Sequence, residues 1–269
     1  MRTVLAVALV ASFACVACGE TAAGLLAQAE ALMPLRYDLG TLEAAIRLYE
    51  RALALDPGNP AILVKLAQLW YEWAVLVPTE REEPGLRKAA DYGFQAMGLA
   101  SLASAQAMPD ADFQRFLARV GDPAALLWAA NGWGQLLGKM NPFSAFFALP
   151  KIRAMYERLL AVDETYFGGS PHEAYGSLLA NLSDYGLLFG VKLADAKPHF
   201  ERSIALDPTY LEAYVTYAKE YAVRAKDRAL FEKLLKYVLA APIGDWPFWN
   251  RHAKDKAQEY LAEIHRYFP

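Results

Sequence analysis

Apolar and polar positions along most of the chain recur with a helical beat. In residues 44–60, AAIRLYERALALDPGNP, small Ala45 and Ala52 and aromatic Tyr49 stand four and three residues apart, on one helical stripe. The stripe returns as Ala196, Phe200 and Ser203 within AKPHFERSIALDPTYLEAY, 196–214, and more loosely in IRAMYERLLAVDETY, 152–166. The two clearer copies each end in an Asp-Pro pair, at Pro57 and Pro208. Proline lacks an N–H and fixes φ, so it ends one helix and helps open the next. Leu63, Leu66, Ala67 and Trp70 follow Pro57 at the offsets at which Tyr214, Tyr217, Ala218 and Tyr221 follow Pro208. Small positions opposite large ones let helices approach closely, so each segment predicts a helical hairpin that buries its stripe by stacking on its neighbours.

Pro208 to Pro242 spans 34 residues, the tetratricopeptide period. Pro57 to Glu164 is 107 residues and Glu164 to Pro208 is 44, so the middle units carry insertions or have drifted. The pattern predicts an all-α fold: a tetratricopeptide-like solenoid of helical hairpins with an irregular middle. A C-terminal helix, WPFWNRHAKDKAQEYLAEIHRYF (246–268), is expected to cap it. An irregular helical bundle is the competing reading. Thr41 is the expected N-cap of the helix over 41–57, and VPTEREEPGLRK (77–88) reads as an exposed loop. GKMNPFSAFFALP (138–150) reads as an apolar connection with Pro150 opening the next helix. Its Phe143, Phe146 and Phe147 either fold onto the core, line a ligand cavity, meet a partner or face a membrane. SDYGLLFGVKLADA (183–196) is similarly apolar where a solvated turn is expected.

Arg2 and the apolar run Val4 to Phe13 have the proportions of a signal peptide. The string LVASFACVACGE (9–20) resembles a bacterial lipoprotein signal, in which small residues precede a cysteine that becomes the acylated first residue. Cys18, after Val16-Ala17 and before Gly19, fits best; Cys15 is the alternative, and an ordinary cleaved signal or an uncleaved anchor are the others. This divides the chain into a leader, 1–18, ending at lipidated Cys18, and one helical domain, 19–269. The domain is expected in the periplasm, tethered by its lipid to a membrane, the outer one favoured. Both cysteines fall in the leader, so no disulfide is expected and stability rests on the packed core. Removing the first 17 of 269 residues leaves 252, and 55% of the chain is apolar, enough for such a core. Net charge is −3, from 27 basic and 30 acidic residues, with no basic block, which excludes nucleic acid as a partner.

The four histidines have no HExxH spacing, and neither GxSxG nor GxxxxGK[ST] occurs. No enzyme, metal or cofactor chemistry is therefore expected. Asp195, His199 and Glu201 imitate a carboxylate–histidine pair but read as a solvated helix face. Gly168 and Gly169 read as a helix break. Aromatic walls with a few amide and imidazole groups suit an organic molecule with one polar end. The candidates, clustered where the repeat loses regularity, are Trp128, Asn131, Trp133, Tyr166, Phe167, His172, Tyr175 and Asn181. The competing role for each is core packing.

Several segments carry a more specific likeness. These are WAANGWGQLL (128–137), LAVDETYFGGSPHEAYGSLLANL (160–182) and the late YAKEYA and FEKLLKYVL helices. With the leader and the first repeat, they resemble the T component associated with tripartite ATP-independent periplasmic (TRAP) transporters. The resemblance implies a helical periplasmic lipoprotein that partners the transporter's solute-binding protein and offers a cavity to an organic ligand, apolar or carboxylated. LLFGVKLAD (187–195) departs from the short glycine-acid turn of that family. The alternative is a scaffold lipoprotein whose open groove binds a peptide or partner helix in envelope assembly. The aromatic connectors leave room for a homo-oligomer.

Overall fold

Short polar side chains and prolines set the helix boundaries. The computed structural model describes residues 20–269; the expected leader, with Cys15 and Cys18, lies outside the described residues. Helix α1 (Ala22–Leu32) begins at Thr21, whose hydroxyl accepts from the Gly24 N–H. Helix α2 (Leu39–Leu55) begins at Asp38, whose carboxylate accepts from the Thr41 N–H at 2.8 Å. Asp38 is therefore the cap in place of Thr41: an anionic acceptor is favoured at the positive end of the helix. Asn59 caps α3 (Pro60–Leu76), with Pro60 in the first turn. The charged segment 77–88 is looped only to Glu82, because α4 (Glu83–Ala96) takes its second half.

Two short helices, α5 (Leu102–Ala107) and α6 (Asp110–Leu117), lead to α7 (Pro123–Leu136), capped by Asp122. The following apolar stretch is no connector. Asn141 caps α8 (Pro142–Asp163), and Pro150 lies inside this helix instead of opening it. Helical spacing turns Ala148, Leu149 and Ile152 inward while Phe143, Phe146 and Phe147 remain 74%, 46% and 56% exposed. Helix α9 (Tyr166–Ser183) is followed by the single turn α10 (Gly186–Phe189), then α11 (Leu193–Leu206). Helix α12 (Glu212–Thr216) runs on as a π-helical segment, Tyr217–Ala222, and α13 (Arg228–Ala240), α14 (Pro247–Ala262) and α15 (Ile264–Tyr267) complete the chain. No strand occurs among the described residues.

The helices stack as expected of a solenoid: α1 on α2, α3 on α4, α4 on α7, and α9 on α11. At the α4–α7 seam the backbones nearly touch, since a Cβ on Gly132 would lie 2.6 Å from the Leu86 carbonyl oxygen. Buried polar groups pin the irregular parts. The Lys151 ammonium donates to the carbonyls of Ala105, Gln106 and Met108, holding α8 against the negative end of α5. Fully buried Asn250 donates to Thr209 O and Ile243 O and accepts from Leu211 N–H.

The C-terminal helix does more than cap. The Tyr37 hydroxyl, between α1 and α2, donates to Asp255 at 2.6 Å, and its ring meets Phe248 edge-on at 5.4 Å. The Arg36 guanidinium lies 5.3 Å from the Phe248 ring centre and grips both oxygens of Glu72, which is wholly buried on α3. Trp249 meets Tyr71 of α3, Trp128 of α7 and Phe167 of α9. Helix α14 thus folds back across the inner side of the array and joins its end to its beginning. No helix among the described residues is long and apolar enough to cross a membrane.

Candidate functional site

Five residues along a helix turn a side chain through about 500°, which puts Trp128 and Trp133 on different sides of α7. Trp133, fully buried, meets Phe94 at 5.7 Å and Phe113 at 6.2 Å, both edge-on. Its surroundings are a closed aromatic core between α4, α6 and α7. Trp128 faces inward, 5.7 Å from Tyr71 and 5.0 Å from Phe167, with its ring 13° from parallel to that of Trp249 at 6.3 Å. These rings form one wall of an interior region.

Phe167 is the hub of that wall, and its backbone explains how. Phe167, Gly168 and Gly169 take φ of 49°, 68° and 77°, a left-handed run that breaks the start of α9. Glycine adopts this freely; the phenylalanine does so at a cost of about 1 kcal/mol. The run swings the Phe167 ring to 4.8 Å from Trp246 and 6.1 Å from Tyr210. A Cβ on Gly168 would stand 3.0 Å from the Tyr210 side chain, so the glycines supply clearance as well as the turn. Tyr166 packs beside Phe167, and burial, with the Asp122 charge, pushes its hydroxyl up to about 12. The indole N–H groups of Trp128 and Trp249 are buried without a hydrogen-bond partner, as is that of Trp133.

An acidic group that sequence reasoning missed adjoins this region through His252, whose ring lies 6.3 Å from that of Trp249. On α9, one Glu173 oxygen accepts from the Thr216 hydroxyl at 2.7 Å. Burial, then repulsion from Glu212, pushes the Glu173 carboxyl up to about 8. His252 Nδ1 lies 3.0 Å from Glu212, and these side chains are 11% and 12% exposed. Desolvation favours neutral imidazole, but the Glu212 carboxylate outweighs it and raises the His252 pKa. Part of the Glu173 surface remains accessible, as does that of Thr216. Gln135, exposed on α7, donates to the Tyr71 hydroxyl at 3.5 Å, which brings this region within one side chain of bulk solvent.

The other candidates are placed elsewhere. Asn131 accepts from the Tyr156 hydroxyl at 3.0 Å. Tyr175 donates to Glu157 at 3.0 Å and meets His199 edge-on at 4.9 Å. His172 joins Glu164 at 2.8 Å through Nε2 and His199 at 2.9 Å through Nδ1. The facing Nδ1 atoms hold one proton between them, and burial followed by the His172 charge lowers the His199 pKa. His199 therefore pairs across helices with His172, not with Asp195 or Glu201 on its own helix. Arg202 and His172 hold exposed Glu164 down at about 2. Asn181 is exposed in a surface network with Glu220 and Arg224. Trp128, Tyr166 and Phe167 thus gather at the interior wall, while Asn131, Trp133, His172, Tyr175 and Asn181 do not. The missed residues had a signal: Glu212 and Glu173 are lone charges within apolar or small-residue helical runs, LEAYVTYA and PHEAYGSLLA.

No group of three or more metal-ligating side chains converges among the described residues. An open groove of about 650 Å³ lies away from this centre, lined by Met97, Met108, Arg115 and Phe116 among others. No curated protein matches the chain significantly. Among solved structures, the crystal structure of TTC0263, a thermophilic TPR protein in Thermus thermophilus, is similar in fold: TM-score 0.57 at 16% identity, covering 89% of this chain and all of that one. That likeness supports the tetratricopeptide-type solenoid. The model of one family, TRAP transporter T-component, matches residues 40–268, from the first full hairpin to the last helix. The chain belongs to the TRAP transporter T-component family.

Proposed function

We propose that this T component is a periplasmic lipoprotein, anchored through Cys18, that docks the solute-binding protein of its transporter and holds a small organic ligand in its interior. The observation that carries the reading is the family match across residues 40–268. Membership ties the chain to a TRAP transporter and so to the cell envelope; docking, anchoring and ligand binding are the further steps proposed here. Two features support them. Phe143, Phe146 and Phe147 on α8 and Leu188 on α10 expose apolar surface, of the kind that marks contact with another macromolecule. Glu173, Thr216, His252 and Phe167 keep part of their surface accessible within the helical array, where a ligand compartment would have to lie. A peptide-binding scaffold would need its inner groove open, and α14 occupies that side. The role proposed is binding and delivery, without catalysis.

One experiment addresses docking and anchoring together. The tagged full-length chain is purified from palmitate-labelled host membranes, as wild type, Cys18→Ala and Phe146→Asp/Phe147→Asp. The wild type is expected to carry label and to retain the solute-binding protein encoded beside the transporter. Cys18→Ala should lose the label and leave the membrane, and the double variant should keep the label and lose the partner. Absence of that solute-binding protein from the wild-type preparation overturns the docking reading.

A further inference from the structure

The two histidines on the seam between α9 and α11 can hold only so many protons. Glu164, kept ionised by Arg202, accepts from His172 Nε2–H, so the Nδ1 of neutral His172 carries a lone pair. His199 Nδ1 lies 2.9 Å from it and donates. The bonds run from His199 of α11 to His172 of α9 and on to Glu164 just past α8, and Arg202 of α11 closes the ring. One added proton leaves this ring intact: it sits on His199 Nε2, which has no hydrogen-bond partner among the described residues, while Nδ1–H still donates. A second proton does not. Both Nδ1 atoms would then carry hydrogen, and two cations would face each other at hydrogen-bond distance.

The surrounding charges are committed elsewhere. Beyond the Tyr175 ring, which meets His199 edge-on at 4.9 Å, Glu157 of α8 is taken by Arg153 and the Tyr175 hydroxyl. On α11, Asp195 accepts from Lys192 N–H and Glu201 pairs with Lys197. From 212–222, which packs on both helices, Glu212 is joined to His252 and Glu220 to Arg224, Lys219 lies over the Tyr260 and Tyr267 rings, and Tyr217 stacks on Phe200. Glu173 is turned to Thr216. Glu164 alone would therefore serve three cations, two imidazoliums and one guanidinium. Burial and the His172 charge accordingly hold the His199 pKa below its usual value. The seam is also tight: a Cβ on Gly176, one turn from His172, would stand 3.2 Å from the His199 Cβ, and one on Gly169 would stand 3.1 Å from the Ser203 carbonyl oxygen.

We propose that the His172–His199 pair is an acid-sensitive latch, which holds α11 on α9 while the two rings share at most one added proton and loosens α11 when both are imidazolium. Glu164 keeps His172 and Arg202 in acid, because its carboxyl stays ionised down to about pH 2. His199, the half-buried member, is the ring that leaves. The left-handed run lies between Glu164 and His172, and its Gly169 folds against Ser203 of α11, so a loosened α11 also frees the turn that places Phe167. The latch goes beyond docking and ligand binding and depends on neither. A base whose folded pKa is lowered contributes stability that is full above pH 6.5 and is lost as pH falls toward the folded value. Glu173 and His252, both raised, give the opposite slope.

The test is nitrogen-edited NMR of the full chain labelled at histidine, with hydrogen exchange read by mass spectrometry. At about pH 8 a slowly exchanging Nδ1 proton is expected on His199, coupled across the bridge to His172 Nδ1; at about pH 4.5 it should be gone, with His199 titrating below the usual histidine range. Peptides of α11 should exchange about tenfold faster at the acid pH than at neutrality, after correction for intrinsic rates, while those of α1 and α2 keep their protection. His199→Asn retains a side-chain donor to His172 but does not titrate, so it should remove most of that acceleration, which separates the pair from His252, His265 and the carboxyls. The NMR needs no variant and stands even if the substitution unfolds the chain. The proposal is overturned by the absence of a shared proton at the higher pH, by His199 titrating at or above the ordinary histidine value, or by an acceleration of α11 that is missing in the wild type or survives in His199→Asn.

Discussion

Trp133 and Trp128 are one residue type on one helix, and they live in different solvents. On the outer side of α7, Trp133 interlocks with Phe94 and Phe113, and the one charge beside those rings is the buried Lys151 ammonium, 5.7 Å from the Phe113 ring centre and spent on the α5 carbonyls. On the inner side, Trp128 packs with Tyr71 and Trp249, and Trp249 lies 6.3 Å from His252, which pairs with Glu212. The difference teaches that irregularity alone does not open a solenoid. The insertion that adds α5 and α6 produced a solid aromatic core. The left-handed break at Phe167 and the inward fold of α14 produced a polar interior.

The largest expected effect sharpens the solid half. Trp133→Ala should cost about 4 kcal/mol, the loss of a fully buried aromatic plus the cavity it leaves. Urea denaturation measures this, and a cost below about 1 kcal/mol would show that the outer side is as loose as the inner one. Next comes the seam that encloses the interior. Arg36→Ala leaves Glu72 buried without its cation and should cost about 3 kcal/mol by the same measurement. A neutral result would mean that Glu72 reaches water and that the inner side is more open than described.

The smallest effect addresses the polar half and depends on pH. Folded Glu173 holds its proton up to about pH 8, while an ordinary glutamate releases it near 4.5, so the folded state carries an extra proton in between. Stability is then full below about pH 4.5 and is lost as pH rises through about 8. Glu173→Gln should remove this part of the slope. The variant is expected to gain about 2 kcal/mol on wild type between pH 5 and pH 8.5, after allowance for partial contact with water. His252, also raised, gives a slope of the same sign in both proteins. Parallel melting curves across this range would show that Glu173 is solvated in the folded protein.

Local rules made the repeats legible. The Ala45–Tyr49–Ala52 stripe and the Asp-Pro stops placed α2, α3, α11 and α12 because each hairpin is read from residues within reach of one another. Phe143 to Leu149 was misread for a physical reason: the stretch is apolar on both faces, so composition hid the helical spacing that exposes three phenylalanines and buries Ala148 and Leu149. The interior escaped prediction because Tyr71, Glu173, Thr216 and His252 come from four distant segments, and no period in the sequence joins them. The aromatic candidates Trp128 and Phe167 were recognisable from their place near the Gly-Gly break. Trp133 was grouped with them by sequence proximity, which ignores that five residues carry a side chain to another face.

An open spring of helical repeats frays from its tips, each unit held only by its neighbour. Here the hydroxyl of Tyr37 and the carboxylate of Asp255 clasp opening and closing hairpins across 218 positions of sequence. A clasped coil has no loose tip from which to unzip, so the protein should melt in a single concerted step, its interior intact until the whole ring lets go.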